Sequence, residues 1–148
     1  MSPPVTLTGF FICDSVRLCQ QENSDLILRY FELHLLHEVG YRPQLQQCIN
    51  CHQPLEPVTN SFSPTAGGML CPDCRFSQPL SRPLSVNALK VLRFLQTRDW
   101  DTCRLLRLGP GTQTEVERLN YRYITYHLER KVKSADFIER LRRQTEAN

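Results

Sequence analysis

The sequence has little methionine, tryptophan and lysine: two Met, one Trp and three Lys among 148 residues, against fifteen Arg. No stretch reaches the roughly 18 consecutive apolar residues that a membrane span needs. The N-terminus has no charged segment followed by an apolar run and a small-residue cleavage site. We therefore expect a soluble, intracellular protein, in which seven cysteines favour metal binding or free thiols over disulfides.

Motifs that carry out catalysis are also absent. The sequence has no paired carboxylates in a catalytic pattern, no glycine-rich phosphate loop and no nucleophile elbow. It has no internal repeat and no low-complexity tract. We therefore predict that the protein is not an enzyme.

The charge is modest in total but uneven along the chain. Hydrophobic residues make up 41% and charged residues 22%, as in an ordinary globular domain, and the net charge is +3. Residues 118–143 hold eight basic and three acidic residues, whereas the remainder holds ten basic and twelve acidic residues. Such a basic stretch indicates either an anionic partner or a solvated helix face.

The first clear helix is predicted over residues 24–39. Ser24 is a good N-cap, Asp25 lies in the first turn, and Gly40 is a typical residue after a helix end. Apolar residues cover most of its circumference, so the helix should be central and buried. His34 and His37 could ligate a metal, although histidines at such spacing are more often core or surface residues.

Residues 41–83 contain seven prolines and a Gly-Gly pair, which indicate a loop-rich insertion with a short hairpin around residues 61–70. Ser85 then caps a second helix, and Leu84 can pack against Leu89. Residues 100–108 fit a shorter helix or an extended piece, and Pro110-Gly111 should break it. Towards the N-terminus, residues 7–18 fit a strand or the tail of a helix, in a packed segment.

Two more helices are predicted near the C-terminus. The first covers about residues 114–130, and Ser134 caps the last one, which Phe137, Ile138 and Leu141 should anchor to the core. The fold class that follows is mainly α: a helical bundle with an inserted, zinc-ribbon-like region of four cysteines at about residues 43–83. We expect one domain over residues 1–148.

Two C-x₂-C pairs are the strongest signal in the sequence. Cys48 and Cys51 form the first pair, and Cys71 and Cys74 form the second pair 19 residues later. This spacing is typical of a four-cysteine zinc site, in which one structural Zn²⁺ is held in a closed tetrahedron. His52 is an alternative ligand, and a redox dithiol or an iron–sulfur cluster fits the spacing less well. The other three cysteines should be small apolar residues: Cys13, Cys19 and Cys103.

Several motifs in this order resemble the family of the bacterial recombination mediator RecO. The first is Arg29-Tyr-Phe-Glu-Leu-His-Leu-Leu, followed by Gly40-Tyr-Arg-Pro. Between the cysteine pairs lies Phe62-Ser-Pro-Thr-Ala-Gly-Gly-Met-Leu-Cys71, and near the end lies Tyr126-His-Leu-Glu-Arg-Lys-Val-Lys-Ser134. The resemblance covers about residues 26–141.

The resemblance implies a part in DNA repair and recombination. Family members bind single- and double-stranded DNA, anneal strands, and help to load the recombinase onto DNA covered by single-strand-binding protein. It also implies two protein partners, RecR and the acidic tail of single-strand-binding protein, and a cytoplasmic location at the bacterial nucleoid. The family's N-terminal OB-fold is not found in this sequence, so we expect only the helical, zinc-containing part of such a protein.

By the same resemblance, DNA phosphates would meet basic residues near the C-terminus: Arg118, Arg122, Arg130, Lys131 and Lys133. The tyrosines among them could stack on bases or belong to the core: Tyr121, Tyr123 and Tyr126. Arg29, with Leu33 and Leu36, is the candidate site for the tail of single-strand-binding protein. The alternative function is a zinc-stapled protein-interaction scaffold that does not touch DNA.

Overall fold

The computed structural model describes residues 24–147. In that range the helices are α1 (Ser24–Glu38), α2 (Val86–Thr97), α3 (Trp100–Cys103) and α4 (Pro110–Ala147). The strands are β1 (Asn60–Ser63), β2 (Gly68–Leu70) and β3 (Arg82–Leu84), with a 3₁₀ turn at Pro72–Cys74. The prediction of a mainly helical fold with an inserted cysteine region is confirmed. The predictions for residues 7–18, Cys13 and Cys19 lie outside the described residues.

Helix α1 lies between α2 and α4 and contributes much of the core. Leu26, Leu33 and Leu36 on α1 are all buried. The turn after the helix contains Gly40, whose φ of +88° is a left-handed conformation that glycine adopts without strain. His34 donates a hydrogen bond from Nε2 to the carbonyl oxygen of Leu95 at 3.1 Å, which is a packing role and not metal ligation.

The inserted region contains a small antiparallel sheet with strand order β2-β1-β3. Strands β1 and β2 form the predicted hairpin, with Phe62 opposite Met69. The hydroxyl of Ser63 accepts a hydrogen bond from the amide of Ala66 at 3.0 Å, which closes the turn. Gly67 then takes a positive φ of 78°. The Ser-Pro-Thr-Ala-Gly-Gly run therefore makes a tight hairpin.

Helix α2 begins as the sequence predicts. The Ser85 hydroxyl accepts a hydrogen bond from the amide of Ala88 at 3.2 Å. That hydroxyl also donates to Glu115 Oε1 at 2.6 Å, and the Ser85 amide donates to Glu115 Oε2 at 3.0 Å. The cap of α2 is thus tied to the first turns of α4. Leu89 and Leu92 are buried on the inner face.

The prediction of two separate C-terminal helices is wrong. Helix α4 is one helix of 38 residues, about 57 Å long at 1.5 Å per residue. Pro110 starts this helix instead of breaking the chain, because proline is well tolerated in the first turn. No glycine or proline lies between residues 112 and 147 to interrupt it.

The expected packing of the C-terminal residues is also wrong. Phe137, Ile138 and Leu141 are 59%, 57% and 47% exposed, respectively. The buried residues of α4 are all in its first half: Val116, Leu119, Asn120 and Tyr123. The second half of α4 therefore extends beyond the other elements described. Among residues 24–147, no helix combines the length and the apolarity that crossing a membrane would require.

Candidate metal centre and basic helix

The two cysteine pairs come together in the structure. The Sγ atoms of Cys48, Cys51, Cys71 and Cys74 all lie within 4.8 Å of one another. Cys51 Sγ and Cys71 Sγ are 3.8 Å apart. Four thiolates at 2.3 Å from a zinc ion in a tetrahedron would be about 3.8 Å apart. The donor set and its dimensions therefore fit one tetrahedral zinc ion.

Two tight turns position these thiols. In the first, the amide of His52 donates to the carbonyl of Cys48 at 2.9 Å, and His52 has a positive φ of 64°. In the second, the amide of Cys74 donates to the carbonyl of Cys71 at 3.0 Å within the 3₁₀ turn. The amide of Ile49 donates to the carbonyl of Met69 at 2.8 Å, which holds the first turn against the hairpin. His52 is exposed and lies outside the cluster of four thiols.

The electrostatics of the cluster suit a cation. Burial raises the pKa of Cys48, but the backbone amides of Cys51 and Cys71 outweigh it and lower that pKa to about 6. The side-chain amide of Asn50 donates to Cys74 Sγ at 3.3 Å and lowers the pKa of Cys74, but the neighbouring thiols and burial raise it to about 12. Thiolates packed this closely repel one another, and a divalent cation would remove that repulsion.

The inserted residues 41–83, called the metal region below, are attached to the helices by polar contacts that the sequence did not reveal. Arg93 Nε donates to the carbonyl of Leu45 at 2.8 Å, and Gln96 Nε2 donates to the carbonyl of Pro43 at 2.9 Å. Burial lowers the pKa of Arg93. These contacts join positions about fifty residues apart, so no local pattern could have predicted them. They keep the first cysteine turn in a fixed position on α2.

The predicted DNA-contacting residues all lie on α4 and are exposed. Arg118, Arg122, Tyr126 and Arg130 follow one another at steps of four residues, which places them along one row of the helix surface. The Arg130 guanidinium lies 5.6 Å from the centre of the Tyr126 ring and donates to its hydroxyl at 3.4 Å. The two lysines, Lys131 and Lys133, lie on the extending half of α4. The structure thus presents basic side chains to solvent along the helix.

The three tyrosines of this stretch separate into different roles. Tyr123 is 2% exposed and donates to the carbonyl of Tyr41 at 2.9 Å. Burial, followed by the nearby Tyr41, raises the pKa of Tyr123 to about 12. Tyr121 is 69% exposed. The sequence left two roles open for these tyrosines. Tyr123 belongs to the core, whereas the ring of Tyr121 is accessible and a base could stack on it.

The residues predicted to receive an acidic tail have internal contacts. Arg29 is 6% exposed, and its guanidinium lies 2.9 Å from Glu117 and 2.7 Å from Glu32. Leu33 and Leu36 belong to the hydrophobic core. A tail could reach Arg29 only by displacing these carboxylates, and the assignment stays a prediction.

Comparison with known sequences finds one family model and several relatives that match this chain. The sequence model of the family "Recombination protein O C terminal" matches residues 16–136. The chain is 45% identical over 118 residues to the DNA repair protein RecO of Roseiflexus sp. (strain RS-1), covering 80% of this chain and 42% of that protein. It is 42% identical over 123 residues to RecO of Dehalococcoides mccartyi (strain ATCC BAA-2266 / KCTC 15142 / 195), covering 81% and 47%.

A third relative, RecO of Desulforudis audaxviator (strain MP104C), is 33% identical over 127 residues, which are 85% of this chain and 50% of that protein. The chain thus spans about half the length of the curated relatives that it matches. No solved structure matches the chain.

Proposed function

Because the chain belongs to the family "Recombination protein O C terminal", we propose that it acts in recombinational DNA repair as a zinc-stabilised, non-catalytic DNA-binding part. The observation that supports this most is the row of exposed basic side chains on α4, including Arg118, Arg122 and Arg130. Arginine side chains of this kind bind backbone phosphates without reading the sequence. Lys131 and Lys133 add charge farther along the helix.

The role of the metal follows from the donor set. Cys48, Cys51, Cys71 and Cys74 would hold the ion, and four thiolates leave no position for a reactive water. When bound, zinc supplies cross-linking and charge neutralisation and no chemistry on a substrate. Residues 41–83 are rich in loops, so most of their order would depend on this ion. The zinc is therefore proposed as a structural element that supports the neighbouring surface.

Salt dependence tests the DNA function. Binding of a fluorescent duplex by the full chain, followed by anisotropy at two salt concentrations, should weaken steeply as salt rises, because bound phosphates release counterions. The Lys131→Ala/Lys133→Ala double variant should reduce the slope by about 0.9 for each phosphate that these lysines neutralise. Arg107→Ala, an exposed arginine in the loop before α4, is the matched control. Absence of DNA binding at low salt would contradict the proposal.

A protein-interaction scaffold is the second candidate, and the exposed apolar residues of α4 favour it. Phe137, Ile138 and Leu141 are each about half exposed or more and offer a surface to a protein. RecR and the tail of single-strand-binding protein are the partners that the family resemblance suggests. Binding of RecR by a chain that shows no affinity for DNA would support the scaffold over the DNA-binding function.

A further inference from the structure

Three arginines line a groove between α4 and the edge strand β3. Arg82 lies on β3, and Arg118 and Arg122 lie on α4. They surround a cavity of about 130 Å³. Apart from Glu115, the other lining residues are apolar: Phe62, Pro64, Pro83, Leu84 and Leu119. A second depression continues from Arg82 and Arg122 towards Leu80, Thr125 and Tyr126 and also includes Tyr121. The groove therefore combines positive charge with an apolar surface.

None of the three arginines forms an ion pair within residues 24–147. The ion pairs there involve other arginines, namely Arg29, Arg142 and Arg143. Glu115 adds one negative charge to the lining, and hydrogen bonds from Ser85 hold both of its oxygens, so the three arginines leave an excess of positive charge. Arg118 and Arg122 also repel each other at a spacing of four residues. An anion that binds between the side chains would relieve this repulsion.

The positive charges of Arg82 and Arg118 affect the side chain of Arg122. The residue remains exposed overall, yet desolvation of its guanidinium, followed by the charges of Arg82 and Arg118, lowers its pKa. The shift is downward from an ordinary value far above neutral pH, so the side chain stays charged at pH 7. Three positive charges from two separate elements therefore converge on one place in the groove.

An aromatic ring stands beside these charges. Tyr121 is 69% exposed and lines the same depression as Arg82 and Arg122. Single strands are bound by a positive groove that follows the backbone, together with aromatic rings on which bases stack. In a duplex the base faces are already stacked and cannot reach such a ring. An acidic peptide would match the arginines but would leave Tyr121 without a planar partner.

We propose that this groove binds single-stranded DNA, with backbone phosphates at Arg82, Arg118 and Arg122 and a base stacked on Tyr121. The inference rests on the proposed DNA-binding function and narrows it to an unpaired strand at a defined site. Arg82 is the new element, because it comes from the metal-bearing region and not from the basic stretch of α4. Only Glu129 lines the second depression with a negative charge, at the Tyr126 end of the groove.

The test compares oligo(dT) with a duplex of the same length, using the full zinc-loaded chain and fluorescence anisotropy. Tyr121→Ala should weaken oligo(dT) binding about fivefold or more and leave duplex binding unchanged, whereas Tyr121→Phe should retain the wild-type affinity. Arg82→Ala should lower the salt slope for oligo(dT) by about 0.7, the value for one neutralised phosphate of a single strand. Arg107→Ala should leave the preference for oligo(dT) over duplex unchanged. Zinc content and melting temperature verify that each variant is folded.

The outcomes separate this inference from the function on which it rests. Suppose that Tyr121→Ala and Arg82→Ala bind oligo(dT) like the wild type, while Lys131→Ala/Lys133→Ala binds both DNAs more weakly. The proposed single-strand site is then wrong, and the proposed DNA-binding function stands. If the wild-type chain binds neither oligo(dT) nor the duplex, both the single-strand site and the DNA-binding function are wrong. If Arg82→Ala instead abolishes binding of a labelled acidic peptide and leaves oligo(dT) unaffected, the groove is a peptide site and the proposal is wrong.

Discussion

At the scale of single residues, the second glycine of the Gly-Gly pair shows how the metal region is fixed. A Cβ atom on Gly68 would lie 2.9 Å from both the Cβ and the carbonyl oxygen of Gln44. The same segments exchange backbone hydrogen bonds, from the Gln44 amide to Gly67 and from the Met69 amide to Gln44, each at 3.0 Å. The glycine thus allows the chain before Cys48 to pair with β2.

Gly68→Ala should therefore destabilise the protein. We expect a loss of about 1–3 kcal/mol, because the added methyl group meets backbone that cannot move freely. Gly109→Ala is the matched control, since nothing lies within 4 Å of a Cβ there, and it should change stability by less than about 0.5 kcal/mol. Chemical denaturation of the zinc-loaded chain measures both. Equal stability of the two variants would contradict the described packing.

The nearly buried side chain of Arg29 should stabilise the fold through its ion pairs. Arg29→Ala should cost about 1–3 kcal/mol, because the side chain is nearly buried and its charged hydrogen bonds to Glu32 and Glu117 are removed. Arg107→Ala, which removes an exposed arginine, should leave the unfolding free energy almost unchanged. If Arg29→Ala is as stable as the control, the side chain is free for a partner, as the family resemblance suggested.

The spacing of the cysteines was sufficient to predict that the four thiols come together, because each C-x₂-C turn is a local structure. The residues around them could not be predicted in the same way. Arg93 and Gln96 lie about fifty residues from the carbonyl groups that accept their hydrogen bonds, and only the folded structure brings Arg82 beside α4. Arg29 has two internal partners, Glu32 and Glu117, and Glu117 is 88 residues away along the chain.

At the scale of elements, the helices with strong local signals at their ends were predicted, whereas one short strand was missed and one long helix was divided in two. Gly40 and Ser85 marked ends that the structure retains. Strand β3 was missed because it has only three residues and contains Pro83, which disfavours a strand assignment. The predicted division of α4 was wrong because Ser134 has the side chain of an N-cap, but a serine is also tolerated inside a helix that no glycine or proline interrupts.

The continuity of α4 predicts different effects for two serines. Ser85→Ala should destabilise the protein by about 1 kcal/mol, because it removes an N-cap. Ser134→Ala should leave stability unchanged or raise it slightly, because alanine is the better residue in a helix interior. Thermal melts followed by circular dichroism compare the two. A similar loss in both variants would show that a separate helix begins at Ser134.

At the scale of the whole molecule, the second half of α4 continues the pattern of the first half. Phe137 and Leu141 follow Leu119 and Tyr123 by 18 positions, five turns of 3.6 residues, and therefore lie on the same face. In the first half that face is buried, whereas in the second half it is exposed. We therefore expect this exposed apolar face to be the part of α4 that contacts a protein partner.

The metal region and the proposed DNA groove are also physically connected. Phe62 of the hairpin packs edge-on against Tyr123 of α4, with ring centres 5.3 Å apart. The same hairpin pairs with β3, so that Phe62 lies opposite Arg82. Loss of the metal should therefore displace Arg82 and weaken oligo(dT) binding, while the helical content, carried mainly by α1, α2 and α4, falls much less.

The four-cysteine zinc site is tested most directly by the zinc content of the purified chain, measured by elemental analysis, with melting temperatures before and after a chelator. We expect one zinc per chain, a clear loss of thermal stability on chelation, and loss of the metal in Cys51→Ser. Cys103→Ser, a buried cysteine outside the cluster, should keep its zinc. A chain that contains no metal and melts at the same temperature with and without chelator would contradict a structural zinc site at the four cysteines.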